Sequence, residues 1–328
     1  MDKKYRAISL FSGGLDSLLS VLWMQKLGVE VIPVFFKTPF FSEERPLQTS
    51  MANSLKLEVI DISEEHLNML QNPKYGYGKN FNPCIDCHGL MFKLAGRLLD
   101  EYKADFLISG EVLSQRPMSQ RRDAMNAVSK LSGYKDLLVR PLSQQLLDDT
   151  KPIREGWINK ADMLSFNGRS RKPQLALAQE LGITEFPNPA GGCRLTDKNY
   201  SIRLRDLVQY DQLNIPNISL LKLGRHFRLD DKTKLIIGRD EVDNQSIVDS
   251  NSGFLYLLNE DIPGPLALFC NITENNDLLR LAASILSFYN SKSPKTVLVS
   301  YGKQFPLLEK VEVIKAEAQL VQNLMIKE

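Results

Sequence analysis

From Ala7 to Phe11 the chain is apolar except at Ser9, the pattern of a buried strand. The run stops at Ser12-Gly13-Gly14 and resumes with helical spacing from Leu15 to Leu27, closed by Gly28, a residue suited to the left-handed turn after a helix. Val29 to Phe36 predicts a second strand, the region near Leu47 to Leu55 a helix, and Leu57 to Ile62 a third strand. Phe81 to Cys87 leads into a long helix, Cys87 to Tyr102. Asp105 to Ser109 then predicts a strand, Ser119 to Lys130 a helix, and Leu137 to Val139 a short strand. Such alternation argues for an α/β fold with a doubly wound parallel sheet, whose ligands sit at the carboxyl ends of the strands.

Helical segments continue to about Gly182, and the proline- and glycine-rich stretch from Phe186 to Cys193 is read as an irregular loop. Beyond about Leu213 the texture changes. Short β-like runs at Leu235 to Gly238, Phe254 to Leu258, Leu266 to Cys270 and Thr296 to Val299 surround one amphipathic helix, Asp277 to Tyr289. The expectation is a nucleotide-handling domain over residues 1–205 and a smaller C-terminal α+β domain over 213–328.

Composition adds bounds. With 328 residues, 43% hydrophobic and 24% charged, the chain is large enough for two cores. No apolar run is long enough to span a bilayer, and Met1 to Tyr5 lead into the first strand without a signal-type apolar region. No membrane association and a cytoplasmic, reducing compartment are therefore expected, with the four cysteines as ligands or reactive thiols. The net charge of +2 announces no nucleic-acid binder. Local clusters (Arg116, Arg121 and Arg122; Arg169, Arg171 and Lys172; Lys222, Arg225 and Arg228) can neutralise phosphates or form solvated faces.

The break at Ser12 to Ser17 carries the clearest chemistry. Glycines at a strand-to-helix turn let backbone approach a ligand, and the first helical turn offers free N–H groups and the positive end of the helix dipole. No Gly-Lys-Ser/Thr follows and there is no G-x-G-x-x-G, which excludes the two commoner phosphate loops. Ser-Gly-Gly-Leu-Asp-Ser resembles the pyrophosphate loop of the PP-loop ATP pyrophosphatases, which cleave ATP at the α phosphate and adenylate a carbonyl oxygen. That resemblance implies that Ser12, Gly13, Gly14 and Ser17 cradle pyrophosphate, that Asp16 helps hold Mg²⁺, and that adenine lies near the end of the second strand at Phe36.

Cys84-Ile-Asp-Cys87 and the distant Cys193 form a second constellation. A C-x-x-C at a helix start reads as a redox pair, half of a zinc site or cluster ligands. Zinc would want a fourth ligand, and His88 would have to fold back to supply it. Three thiolates suit a 4Fe-4S cluster with one iron left open. The alternative chemistry makes Cys193 a persulfide carrier resolved by one of the paired thiols. Cys270 ends an apolar strand and is expected in the core, whereas His66 and His226 are expected at the surface.

The stretch from Ser109 to Gln120, Ser-Gly-Glu-Val-Leu-Ser-Gln-Arg-Pro-Met-Ser-Gln, with Arg140-Pro-Leu after it, resembles the tRNA 4-thiouridine synthetase (ThiI) family. The three-cysteine arrangement resembles the cluster-dependent TtuA group of tRNA thiolation enzymes. Residues 213–328, with Leu235 to Asn244, more weakly resemble the NFACT-R type of RNA-binding domain; the alternative there is a capping or dimerisation domain and hence a homodimer. The ThiI family's tRNA-delivering THUMP domain and a rhodanese domain are absent from this sequence. Together these resemblances imply an ATP-dependent tRNA sulfurtransferase acting at uridine 8. They also imply Gly110 and Gln115 at the nucleotide, catalytic roles for Asp16, Cys84, Cys87 and Cys193, and a cysteine desulfurase or free sulfide as sulfur donor. The rivals are a 2-thiouridylase of the MnmA class, a PP-loop amidotransferase or synthetase acting on a small acid, and a non-catalytic RNA-binding protein.

Overall fold

The computed structural model describes residues 4–186, 193–250, 252–271 and 275–327, and the chain divides into two compact units, Met1–Thr196 and Asp197–Glu328. The first unit holds β1 (Arg6–Leu10), α1 (Leu15–Lys26), β2 (Glu30–Lys37), α2 (Glu44–Ala52), β3 (Glu58–Asp61), α3 (Ser63–Gln71) and α4 (Cys84–Arg97). It continues with β4 (Phe106–Ser109), α5 (Arg122–Ser132), β5 (Leu138–Val139), α6 (Lys151–Arg154) and α7 (Lys172–Glu180).

The five strands form one parallel sheet in the order β3-β2-β1-β4-β5, so the direction of winding reverses between β1 and β4. Alternate residues serve opposite faces, as the two-residue period of a strand requires. Ala7, Phe106, Ile108 and Val139 pack with Leu18, Leu19 and Val21 of α1 and Leu177 of α7. Ile8, Val34, Phe36, Leu107 and Leu138 pack with Phe92 and Ala95 of α4 and Val128 of α5. Both faces are thus covered, which explains why the strands read as nearly continuous apolar runs. Helix α1 ends where expected, with Gly28 at φ +86°.

Helix α2 begins at Glu44, earlier than the apolar spacing predicts, because Pro46 is accommodated in the first turn, where a missing N–H costs nothing. Helix α4 likewise starts at Cys84 and stops at Arg97.

The second unit contains α8 (Lys198–Gln209), α9 (Ile215–Leu220), β6 (Arg225–Arg228), β7 (Lys234–Ile237), α10 (Glu241–Asp249), β8 (Leu255–Asn259), β9 (Ala267–Cys270), α11 (Asn276–Phe288), β10 (Thr296–Gly302), β11 (Glu309–Ile314) and α12 (Ala318–Leu324). Its six strands are antiparallel in the order β11-β10-β8-β9-β7-β6. One face, with Phe227, Leu235, Leu257 and Phe269, packs on α11 through Ala282, Ala283 and Leu286. Helix α8 belongs to this unit, ahead of the boundary suggested by texture. Asp206 pairs with Arg228 and Lys234, and Arg203 donates to the carbonyls of Leu221 and Gly224.

Among the described residues no helix is long and apolar enough to cross a membrane.

Candidate active site

The reversal between β1 and β4 opens a crevice at the carboxyl ends of these strands, and the loop after β1 lies there. Gly13 sits at φ +70°, and a Cβ on it would stand 2.8 Å from Pro46 Cα, so glycine is needed for both conformation and space. Thr49 of α2 donates its hydroxyl to the Gly13 carbonyl at 2.9 Å. Ser17 donates to the Gly14 carbonyl at 2.9 Å, and the Ser12 and Ser17 hydroxyls lie 3.2 Å apart. No side chain caps the start of α1, so its first-turn amides are not claimed by a capping residue. Such a turn presents donors to an anion.

Asp16 stands in the first turn of α1. Gln115 donates to its Oδ2 at 2.7 Å, and Gln174 of α7 in turn donates to the Gln115 carbonyl oxygen at 2.9 Å. The other carboxylate oxygen, Oδ1, is buried without a hydrogen-bond partner. One lone carboxylate oxygen beside a phosphate cradle is the donor that a magnesium ion sharing phosphate oxygens would take. Gly110, at the end of β4, closes the other wall. A Cβ there would fall 2.7 Å from the backbone of Asp16 and Ser17. The Phe36 side chain, by contrast, is buried in the sheet core with Ile8 and Val34, so only its backbone can face a nucleotide.

Arg45, whose backbone touches Gly13, has its guanidinium pKa pulled down by burial and by the charges of Arg116 and Arg171. Two of these three come from the clusters legible in the sequence; Arg45 was not anticipated. The neighbours of Arg116 differ: Arg121 pairs with Asp123, and Arg122 donates to the Leu146 carbonyl.

The cysteines lie at the start of α4. Cys84 donates to Asn82 Oδ1 at 3.1 Å, and the Asp86 carboxylate accepts from the amides of Lys74 and Tyr75, fixing the entry to the helix. The segment after Cys193 is tied to the segment before α4, because Phe81 donates its amide to the Leu195 carbonyl and Asn80 its side chain to the Thr196 carbonyl. Gly191 and Gly192, next to Cys193 in the stretch read as an irregular loop, lie outside the described residues.

Burial raises the pKa of all three thiols. Cys87 is pushed well above its usual value, with Cys193, Cys84 and Asp86 adding to the effect; Cys193 is pushed up to about 11; and Cys84 is partly offset by Asn82 and the charge of Arg116. The charge of Arg116 thus bears on Cys84 as well as on Arg45.

Among the described residues no group of three or more His, Cys, Asp or Glu side chains is set to hold a metal ion. The donors nonetheless suit a larger group such as a cluster. They are soft thiols, crowded and without a cation ion-paired to them, and bound iron would supply the charge that lets them ionise.

Both histidines expected at the surface, His66 and His226, are buried. His66 is fully buried, with Nε2 3.4 Å from Cys87 Sγ and its ring against Phe40 and Phe41, and burial pulls its pKa down to about 4. Helix α3 turns His66 inward, where its polar neighbours in sequence suggested solvent. His88 does not fold back to the cysteines; its Nδ1 meets Glu111 at 2.9 Å. Glu111, buried, also accepts from Arg140 Nε at 2.8 Å, and despite burial the Arg140 charge and His88 hold its pKa down to about 2. This makes sense of the Gly-Glu and Arg-Pro-Leu motifs as one buried ion pair beside the loop.

Residues 3–145 match the family model of the thiamine biosynthesis protein ThiI, and residues 224–325 match that of the NFACT protein RNA binding domain. The first unit resembles ThiI. A probable tRNA sulfurtransferase of Thermococcus kodakarensis is 29% identical over 161 residues, which cover 45% of this chain and 40% of that protein. The tRNA-specific 2-thiouridylase MnmA of Karelsulcia muelleri is 26% identical over 177 residues, covering 49% of this chain and 46% of that protein. The chain thus spans less than half the length of these curated relatives. The crystal structure of a 4-thiouridine synthetase–RNA complex with bound ATP is 20% identical, with a TM-score of 0.40 over 66% of this chain and 52% of that one.

Proposed function

We propose that the chain is an ATP-dependent tRNA sulfurtransferase that adenylates a uridine carbonyl oxygen and replaces it with sulfur, at the 4-position of uridine 8. The observation that carries this reading is the phosphate loop: Gly13 at φ +70° against Pro46, an uncapped α1 start, and Asp16 with one oxygen on Gln115 and the other unpartnered. Activation and sulfur delivery must be close together, since the adenylated carbon has to be reached before water reaches it.

In this reading the amides of the α1 first turn, Ser12 and Ser17 hold the β and γ phosphates, and Arg45, Arg116 and Arg171 neutralise the charge that develops as pyrophosphate leaves. Asp16 keeps one oxygen on Gln115 and offers the other to Mg²⁺. Gly110 lets the backbone after β4 press on the loop and hold its shape. Cys84, Cys87 and Cys193 would hold a 4Fe-4S cluster, which when bound supplies the site where sulfur is presented to the activated carbon. A third cysteine beside the C-x-x-C pair supports this over persulfide chemistry, which needs only a carrier and a resolving thiol.

The test is mass spectrometry of tRNA nucleosides from a strain lacking the gene, complemented by the parent chain or by Asp16→Ala. Loss of 4-thiouridine, restored by the parent chain alone, is expected; unchanged 4-thiouridine refutes the assignment. The likeness to MnmA makes 2-thiouridine the second reading, and the same measurement reports it.

A further inference from the structure

Helix α7 packs on the same face of the parallel sheet as α1. Leu177 and Ala178 enter the core shared with Leu15, Leu18 and Leu19, and Gln174, one turn earlier on the same stripe, is 0% exposed. A polar side chain buried on an apolar stripe has to find its partners inside the fold. The backbone decides which ones it meets. Gly168, ahead of α7, donates its amide to the Leu113 carbonyl at 2.8 Å. The Leu113 amide donates to Ser143 Oγ at 3.0 Å, and that hydroxyl donates to the Phe166 carbonyl at 2.7 Å. The loop after β4 and the segment entering α7 are therefore tied together, and Gln174 meets Gln115.

The hydrogen bonds from Gln174 to Asp16 can run in one direction only. A carboxylate accepts, so Gln115 turns its NH₂ group to Asp16 Oδ2, at 2.7 Å, and its carbonyl oxygen the other way. That oxygen accepts as well, so Gln174 presents its own NH₂ group, at 2.9 Å. Gln174 Oε1 then faces away, buried and without a hydrogen-bond partner among the described residues. Turning the Gln174 amide over would set two acceptor oxygens against each other, and turning Gln115 as well would pass the same mismatch to Asp16. The cost of an unpartnered oxygen is thus confined to the far end of the relay, and the Asp16 end keeps its donor.

We infer that Gln174 is a positioning residue for magnesium: through Gln115 it holds the Asp16 carboxylate in the orientation that leaves Oδ1 for the Mg²⁺ of bound ATP. The inference rests on the role proposed for Asp16 above and adds the residue that makes its orientation single-valued. Without the Gln174 donor, the Gln115 amide turns freely and offers Asp16 its oxygen as readily as its nitrogen, so Oδ1 is no longer fixed. Partners that orient a metal ligand commonly set about 10–100-fold of metal affinity. The relay ends on the Asp16 side chain, whereas the phosphates face the backbone amides of the α1 first turn, so nucleotide binding without magnesium is left unchanged.

Calorimetric titration of the full chain with ATP, in magnesium and in EDTA, tests it. Magnesium is expected to tighten ATP binding by the parent chain, and Asp16→Ala to remove that gain. Gln174→Met, similar in volume but without a donor, is expected to weaken ATP binding about 10-fold in magnesium and to stay within about twofold of the parent in EDTA. Damage to packing alone would weaken both. The double variant Gln115→Met/Gln174→Met is expected to lose no more than Gln115→Met by itself, since Gln174 acts only through Gln115.

A Gln174→Met chain that keeps the full magnesium gain overturns the inference, and so does a double variant whose loss is the product of the two single losses. Gln115→Met, at a half-buried loop position, carries the test if Gln174→Met does not fold: an unchanged magnesium gain there overturns the inference by itself. If the parent shows no gain, or Asp16→Ala keeps it, the proposed role of Asp16 falls together with the inference. If Asp16→Ala loses the gain and the glutamine variants keep it, the inference alone falls. None of these readings depends on which uridine receives sulfur.

Discussion

Gly110→Ala is the most direct probe of how the sheet shapes the phosphate loop. The added Cβ would lie 2.7 Å from the Asp16 carbonyl carbon and oxygen and 2.7 Å from Ser17 Cα, all of them backbone atoms that cannot rotate away. Carbon contacts are comfortable from about 3.5 Å, so the end of β4 and the start of α1 must separate by roughly 0.8 Å. Overpacking of this kind costs about 1–3 kcal/mol of stability, which a domain of this size can tolerate while staying folded. The catalytic cost is larger: a displacement near 1 Å in a positioning element lowers rate by about 10²-fold.

The assay is release of AMP and pyrophosphate from ATP in the presence of tRNA, with thermal unfolding measured alongside. Gly28→Ala is the control, since Gly28 is also a strained position, φ +86°, but a Cβ there meets nothing within 4 Å. It should cost about 1 kcal/mol through backbone strain and leave turnover within threefold of the parent. If Gly110→Ala keeps turnover within threefold while folded, the loop is not held by β4 and the argument fails.

Other expectations follow from the same geometry. Asp16→Ala should lower AMP release by at least 10²-fold, because no other carboxylate is placed on the first turn of α1, and binding of nucleotide without magnesium should change far less. Cys84→Ser, Cys87→Ser and Cys193→Ser should each lose iron after anaerobic reconstitution, whereas Cys270→Ser, in a separate core, should keep it; iron and sulfide analysis decides. Glu111→Gln leaves Arg140 buried against a neutral partner and should cost about 3–5 kcal/mol in urea unfolding.

The pH dependence of that pair has a definite sign. Glu111 is lowered from 4.5 to about 2, so its contribution, roughly 3 kcal/mol, is complete above pH 4.5 and fades as pH falls toward 2. Urea midpoints of the parent should drop over that window more steeply than those of Glu111→Gln, and parallel curves would contradict the assignment.

What the sequence could disclose follows the range of the forces involved. The phosphate loop was legible because its chemistry is local: two glycines, two serines and an aspartate act within one strand-to-helix turn. The buried strands β1, β2 and β4 were legible because a sheet covered on both faces demands continuous apolar runs. Strands β6 (Arg-His-Phe-Arg) and β11 (Glu-Lys-Val-Glu-Val-Ile) escaped, since each forms an edge of the six-stranded sheet and alternates with charged residues. Residues completing the site from afar gave little local signal. Gln174 lies 59 residues from the Gln115 it supports, and Arg45 owes its place to Pro46 packing on Gly13.

The two misjudged histidines show the same limit from the other side. His66 and His226 sit among polar sequence neighbours, yet the fold drives both rings inward. A buried ring must satisfy two nitrogens, and in each case one is met, by Cys87 or by the Leu223 carbonyl, while Nδ1 is left without a partner. An unsatisfied buried polar nitrogen costs about 1–3 kcal/mol, a large share of the stability of a marginally stable fold. At His66 the return is the ordering of a sulfur in the cysteine group. At His226 the return is the tie from the first strand of the second sheet to the Leu223 carbonyl just after α9.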